Sequence, residues 1–150
     1  MTVGLDVPAY ALEAEGGERL RFGEVEVLIK ASAETTAGAF TLLEENEPVD
    51  TPLHVHAGEH ELFFVLEGEH IFTVGEQDFR VGPGGLVFAP RGVPHAQRRV
   101  VPRTGRILVL TAPAGLEGFF RELAAADSAG LLGPEAYARA SRHFGVTWLE

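Results

Sequence analysis

The sequence predicts a mainly β domain, an antiparallel sandwich or barrel, followed by a short helical segment. Three observations support this prediction. Short segments rich in Val, Ile, Phe and Leu follow one another through the middle of the chain, and such residues favour strands. Glycine, proline and aspartate separate these segments at hairpin length, with no helical pattern between them. After Pro113 the apolar residues recur instead at helical intervals.

The predicted strands follow one another closely, so the chain is expected to form one domain, residues 1–150. This length is that of one ordinary domain. The β-barrel core is expected at about residues 20–113. Its predicted strands lie at 24–32, 38–45, 51–56, 61–68, 69–75, 77–82, 85–90, 95–100 and 105–113.

Two helices are predicted between about residues 115 and 145. The first has apolar residues at helical spacing, namely Leu116, Phe119, Phe120 and Leu123. The second begins after Gly133, because Pro134 suits the first turn of a helix. We expect this helical pair to pack on the outside of the β unit. Trp148, in the segment that follows, is interpreted as a packing residue rather than one that stacks on a ligand.

Composition excludes several classes of function. Without cysteine the chain has neither disulfides nor thiolate zinc sites. The first residues lack a basic start and a long apolar run, so no signal peptide is expected and a cytoplasmic location is predicted. No segment approaches the roughly 20 apolar residues of a membrane span. The net charge of −10 argues against nucleic acid and acidic membranes as partners.

Four arginines form a local exception to the acidic charge: Arg98, Arg99, Arg103 and Arg106. They are compatible with an anion site. We favour a solvated loop or strand edge, which is the commoner setting of such a group.

The stretch "TPLHVHAGEHELFFVLEG" contains three candidate metal ligands. His54 and His56 share one face of a strand, because side chains two apart point to the same side. Glu61 opens the next apolar strand and returns to that face if the two strands are antiparallel neighbours. His95, in "PRGVPH", opens a later strand. Imidazole and carboxylate ligands suit first-row transition metals, and four of them leave coordination positions open for a substrate.

Each of these features alone has an ordinary explanation, including a polar cluster that binds no metal. Their joint spacing, however, resembles the two motifs of the cupin superfamily. The first motif, "HVHAGEHELFFVLEG", is matched through the three ligand candidates and Gly68. The second, "GGLVFAPRGVPH", is matched at Gly84, Pro90, Gly92 and His95. The chain departs from the family pattern at Pro48, where a glycine usually begins the first motif, and at Arg99, where the second often ends with asparagine.

This resemblance implies a cupin fold, a double-stranded β-helix or jelly-roll barrel, with a short C-terminal helical extension. It implies one divalent first-row transition metal ion (Fe, Mn, Ni, Co, Cu or Zn) in the pocket, and a homodimer. The implied metal ligands are His54, His56, Glu61 and His95. Candidates for the apolar pocket wall are Phe63, Val65, Phe72, Phe88 and Leu108.

The helical tail is similar to that of small bacterial cupins described as quercetin dioxygenase-like. That similarity implies a metal-dependent dioxygenase acting on a small-molecule substrate that carries hydroxyl groups, an aromatic one suiting the apolar wall. Glu61 would serve as ligand or as catalytic base. Two alternatives stay open: a metal-dependent isomerase or decarboxylase, and a non-catalytic cupin that binds a small molecule.

The other histidines are predicted to have solvated or packing roles: His60, His70 and His143. His70 could line the pocket if the strand register permits. Glu59 is expected to face solvent, unless a strand bulge exchanges it with Glu61 as a ligand.

Overall fold

The computed structural model describes residues 7–149, which form two antiparallel sheets and three helices. The mainly β fold class with C-terminal helices is therefore confirmed. The strands are β1 (Glu18–Phe22), β2 (Val25–Ala31), β3 (Thr41–Asn46), β4 (His54–His56), β5 (His60–Glu67), β6 (His70–Val74), β7 (Gln77–Val81), β8 (Leu86–Ala89), β9 (His95–Arg99), β10 (Arg106–Ala112) and β11 (Val146–Trp148). The helices are α1 (Ala33–Thr36), α2 (Glu117–Ser128) and α3 (Pro134–Phe144).

The two sheets face each other across one apolar core. The six-stranded sheet has the order β1-β2-β3-β10-β5-β8, and the five-stranded sheet has the order β11-β4-β9-β6-β7. Alternate residues of each strand enter the core, as strand geometry requires. The most deeply buried of them include Val27, Leu43, Phe63, Val65, Phe72 and Ile107.

Two strands lie outside the predicted set. β1 pairs with β2 as a hairpin, and β11 pairs with β4 at the far end of the chain. The pairing of β11 places Trp148 opposite His54 and Val146 opposite His56. Residues 146–148 therefore support the strand that carries two of the ligand candidates.

The C-terminal helices pack against each other and against β1, around a second apolar cluster. α2 and α3 approach closely at Gly118, where a Cβ would lie 2.2 Å from the Phe144 ring. Leu123 and Ala140 are fully buried in this cluster. The cluster also includes Phe22 from β1, so the helices cover one end of the β unit.

Two residues predicted to line the pocket wall face outward instead. Phe88 is 50% exposed, and Leu108 is half-buried on the same outer face of the six-stranded sheet. Their neighbours Val87 and Val109 point inward. Consecutive apolar residues in "LVFA" and "ILVL" made the inward positions ambiguous. Phe63, Val65 and Phe72 all point inward, but only Phe63 lines the cavity described below, while Val65 and Phe72 pack in the core.

None of the helices formed by residues 7–149 has the length and apolar character needed to cross a membrane.

Candidate metal centre

The four ligand candidates converge between the two sheets. His54, His56, Glu61 and His95 each offer one ligand atom, and these atoms lie within 4.8 Å of one another. The three histidines come from β4 and β9 of the five-stranded sheet, where His54 is directly opposite His95. Glu61 comes from β5 of the facing sheet. All four side chains are buried.

Glu61 joins two of the imidazoles through one oxygen atom. Its Oε2 lies 3.0 Å from His56 Nε2 and 2.9 Å from His95 Nε2. The alternating burial of β5 explains why Glu61 points inward, since Phe63 and Val65 follow it on the same face. The side chains converge as expected, but β4 and β5 are not antiparallel neighbours: they belong to different sheets, and Glu61 meets the histidines across the space between them.

The Nδ1 atoms of His54 and His95, which point away from the cluster, contact backbone carbonyl oxygens. His54 Nδ1 lies 2.8 Å from Pro52 O, and His95 Nδ1 lies 3.2 Å from Val93 O. Because a carbonyl oxygen only accepts, each Nδ1 carries the proton and donates it. His54 Nε2 is then left with a lone pair, as a metal ligand requires. His95 Nε2 instead contacts Glu61 Oε2 at 2.9 Å.

Glu59 supports the third imidazole, and the expectation that it faces solvent is wrong. Its Oε1 lies 2.9 Å from His56 Nδ1, and its side chain is largely buried. The ring N–H is not aligned with the oxygen, so both atoms lack a well-formed hydrogen bond. Glu59 still occupies the position of a carboxylate that orients a ligating histidine from behind.

Burial and mutual contacts shift the proton affinities of this cluster in different directions. Burial, aided by His95, lowers the pKa of His54 to about 4. Burial also opposes protonation of His56, but contacts with Glu59 and Glu61 outweigh it and raise its pKa to about 9. Burial alone would raise the pKa of Glu61, yet hydrogen bonds from His56 and His95 hold it well below its usual range. A cation that replaces the His56 proton would meet a strong anionic ligand in Glu61.

The donor set fits a first-row transition metal ion. Metal–ligand bonds of about 2.0–2.2 Å place two ligand atoms on one ion no more than about 4.4 Å apart. The four candidate ligand atoms lie within 4.8 Å of one another, which is close to that separation. Three nitrogens and one carboxylate oxygen also match the preferences of these ions, without selecting one of them.

The cluster lies at the wall of a cavity of about 170 Å³. Much of the remaining wall is apolar and aromatic, and the helical tail supplies part of it. Contributing aromatic residues are Phe22, Phe63, Phe119, Phe120, Tyr137 and Trp148. Trp148 packs beside His54, with ring centroids 5.0 Å apart. The tail therefore forms part of the cavity wall, beyond its expected packing role.

Glu45 is a second buried carboxyl group in the cavity wall, and the sequence analysis missed it. It lies on β3 between Val27 and Ile107, which are both fully buried. Gln97 Nε2 donates a hydrogen bond of 3.0 Å to its Oε1. Burial, with a smaller contribution from the charge of Glu61, raises the pKa of Glu45 to about 7.

The raised pKa predicts that stability falls as pH rises. Between pH 4.5 and 7 the folded state holds a proton on Glu45 that the unfolded chain has lost, so ionisation opposes folding. We expect Glu45→Gln to match wild type at pH 4.5 and to exceed it by about 3 kcal/mol at pH 8. Urea unfolding of both proteins with a chelator present measures the difference. Parallel stability curves from pH 4.5 to 8 would contradict the prediction.

The other histidines lie outside the cluster. His60 is exposed, and its Nδ1 accepts a hydrogen bond from the Arg91 N–H. His70 is buried, but its Nε2 lies 3.1 Å from Glu67 O and it does not line the cavity. His143 contacts Glu122 on the helical surface.

Three of the four arginines of the basic group contact acidic side chains. Arg98 pairs with Asp78, and Arg99 lies 3.6 Å from Asp50. Arg106 contacts Glu44 and Glu67. These pairs favour the interpretation as a strand edge over that of an anion site.

Comparison with known proteins yields one matching family and two curated relatives. Residues 40–111 match the family described as Cupin domain. The chain is 32% identical to quercetin 2,3-dioxygenase of Bacillus subtilis over 97 residues, which are 63% of this chain and 29% of that protein. It is 48% identical over 48 residues to dimethylsulfoniopropionate lyase DddQ of Ruegeria pomeroyi, covering 31% of this chain and 23% of the relative. The chain thus spans less than a third of the length of either relative.

Solved structures include proteins of the same fold. The structure of KdgF from Halomonas sp. aligns with a TM-score of 0.63, over 73% of this chain and 98% of that one. At 13% sequence identity this similarity concerns the fold alone.

Proposed function

Because the chain is a cupin, we propose that it is a metal-dependent dioxygenase of the quercetinase-like type, acting on a small hydroxylated substrate. The observation that carries the proposal is the convergence of three imidazoles and one carboxylate at the wall of an apolar cavity. The 32% identity to quercetin 2,3-dioxygenase favours oxygen chemistry among the reactions that such a site supports.

The proposed ligands are His54, His56, Glu61 and His95, and Glu61 has a second role as catalytic base. A divalent first-row ion bound there would act as a Lewis acid and lower the pKa of a coordinated hydroxyl group. Glu61 is the only carboxylate of the four, so it is the group that can accept the hydroxyl proton. The aromatic wall keeps water away from that transfer and favours a planar substrate.

Oxygen consumption tests this proposal. The protein is loaded separately with Fe²⁺, Mn²⁺, Co²⁺ and Ni²⁺, and uptake is followed with quercetin, single-ring catechols and enediols. We expect substrate-dependent uptake in at least one metal form. Glu61→Gln should reduce it by a factor of 10²–10⁴, the usual contribution of a catalytic base. Full metal occupancy without uptake for any substrate would contradict the dioxygenase assignment.

A reaction that consumes no oxygen is the second candidate. The 48% identity to a lyase over 48 residues favours such a reaction. A decarboxylase, one of the alternatives predicted from the sequence, is also a lyase. In that case substrate would disappear under nitrogen as fast as in air. Retention of a ligand without turnover would favour a binding protein instead.

We also propose a homodimer in the cytoplasm. The outer face of the six-stranded sheet presents adjacent apolar side chains on β5, β8 and β10. Leu86 and Phe88 on the edge strand β8 are 53% and 50% exposed. A second copy covering this edge would remove it from water and from unwanted strand pairing. The lack of cysteine suits a reducing compartment.

A further inference from the structure

Glu45 has neither the arginine partner of the buried Glu44, nor the imidazole contacts of Glu61, nor the three hydrogen bonds of Glu117. Glu44, beside it on β3, points to the opposite face and pairs with Arg106. None of the ion pairs among residues 7–149 includes Glu45, whose inward position is bordered by Val27 and Ile107. A buried carboxyl group without a cationic partner lowers stability. Such groups occur preferentially where they contact a ligand.

Gln97 fixes which oxygen of Glu45 accepts a hydrogen bond. Its Nε2 lies 3.0 Å from Glu45 Oε1 and 3.0 Å from Val49 O. An amide NH₂ group donates to both oxygens, so Glu45 Oε1 is the acceptor. In the neutral acid the proton therefore sits on Oε2, where it remains available as a donor.

The size of the cavity restricts what it can hold. Its volume of about 170 Å³ is close to the roughly 150 Å³ of an engineered apolar cavity that binds benzene. The cavity wall carries the metal-ligand cluster and, on β3, Glu45. The part of a ligand that this volume encloses has about one ring, so a three-ring flavonol would extend beyond it.

We propose that the substrate is a single-ring-sized molecule that places two oxygen functions at the cluster of His54, His56, Glu61 and His95 and has a third that accepts a hydrogen bond from neutral Glu45. This inference rests on the proposed metal-dependent function and narrows its substrate class. Glu45 is thus a substrate-binding residue of the pocket. The raised pKa of Glu45 is consistent with this role, because a neutral acid then persists near neutral pH.

Calorimetry with the Zn²⁺-loaded protein, under nitrogen, tests the inference without turnover. The probes are catechol, 1,2,3-benzenetriol and 1,2,4-benzenetriol, with quercetin as the oversized probe. Wild type should bind one of the triols about tenfold more tightly than catechol, the effect of one added hydrogen bond. Quercetin should bind at least tenfold more weakly than catechol.

Three variants separate the role of Glu45 from general effects. Glu45→Leu should lose the preference for the triol, so that the triol and catechol bind this variant with similar affinity. Glu45→Gln should keep the preference, because its amide still donates. Glu44→Gln is the matched control, since it changes the neighbouring residue on the outer face, and it should bind all probes as wild type does. Glu45→Met replaces the leucine variant if the latter does not fold.

The outcomes distinguish this inference from the proposed function. If the protein retains no Zn²⁺, the metal site itself is wrong and the inference falls with it. If Zn²⁺ is retained but no probe binds, the proposed substrate class is wrong. A triol preference that survives in Glu45→Leu, or quercetin binding as tight as that of catechol, would also overturn the inference and leave the metal site standing.

Discussion

Replacement of His54 or His95 by alanine is expected to weaken metal binding by a hundredfold or more. Loss of a residue that only hydrogen-bonds to a metal ligand already lowers metal affinity about 10–100-fold. Removal of a ligand itself takes away a direct bond and leaves a gap in a buried site. Elemental analysis of the purified proteins should find about one metal ion per chain in wild type and almost none in the variants.

Trp148 provides a second measurement of the same event. It is the single tryptophan of the chain, and its ring lies 5.0 Å from that of His54. Titration with Ni²⁺ or Cu²⁺ should therefore quench its fluorescence in wild type, with saturation at one equivalent. His143→Ala is the control, because this histidine lies on the helical surface. Equal metal content in wild type and in the His54 and His95 variants would show that these histidines are not metal ligands.

Glu117→Ala is expected to lower the free energy of unfolding by about 3–5 kcal/mol. Glu117 is 2% exposed, and its carboxylate accepts hydrogen bonds from three groups. The donors are the Ala33 N–H at 2.6 Å, the Gly115 N–H at 2.9 Å and the Thr41 hydroxyl. Alanine would leave the Ala33 N–H and the buried Thr41 hydroxyl without this acceptor, while the Gly115 N–H keeps its contact with Thr41 Oγ1. Each unsatisfied group costs about 1–3 kcal/mol, and the contacts of the deleted side chain are lost as well.

Urea unfolding measures this loss. The control is Glu122→Ala on the same helix, whose carboxylate contacts only the exposed His143 among its described ionic partners. Surface pairs of this kind contribute about 0–1 kcal/mol, so the control should be close to wild type. If the Glu117 and Glu122 variants unfold at the same urea concentration, Glu117 does not anchor α2 as the hydrogen bonds indicate.

The sequence was sufficient for the features that depend on spacing alone. His54 and His56 lie two apart on a strand, so their shared face follows from backbone geometry. The convergence of Glu61 and His95 with them required a particular arrangement of strands, which the two motif spacings supplied through the resemblance. The helical tail was recognisable from the apolar residues between Leu116 and Leu123.

Other features depend on tertiary contacts that spacing does not encode. In "LLEEN" the two glutamates look equally polar, yet Glu44 faces an arginine and Glu45 faces the cavity. The outward positions of Phe88 and Leu108 were missed because their neighbours along the strand are also apolar. β11 is only three residues long, too short for a recognisable pattern, and only its pairing with β4 defines it.

The pairing of β11 with β4 has a consequence for biosynthesis. β4 lies between β9 and β11, so it keeps one open edge until the ribosome has added residues 146–148. At about 5–20 residues per second, the delay after His54 emerges is on the order of 5–20 s. During that interval the nascent chain exposes two unsupported imidazoles beside a sheet edge. We therefore expect the proposed metal ion to be loaded after translation, from the metal pool that the released polypeptide meets.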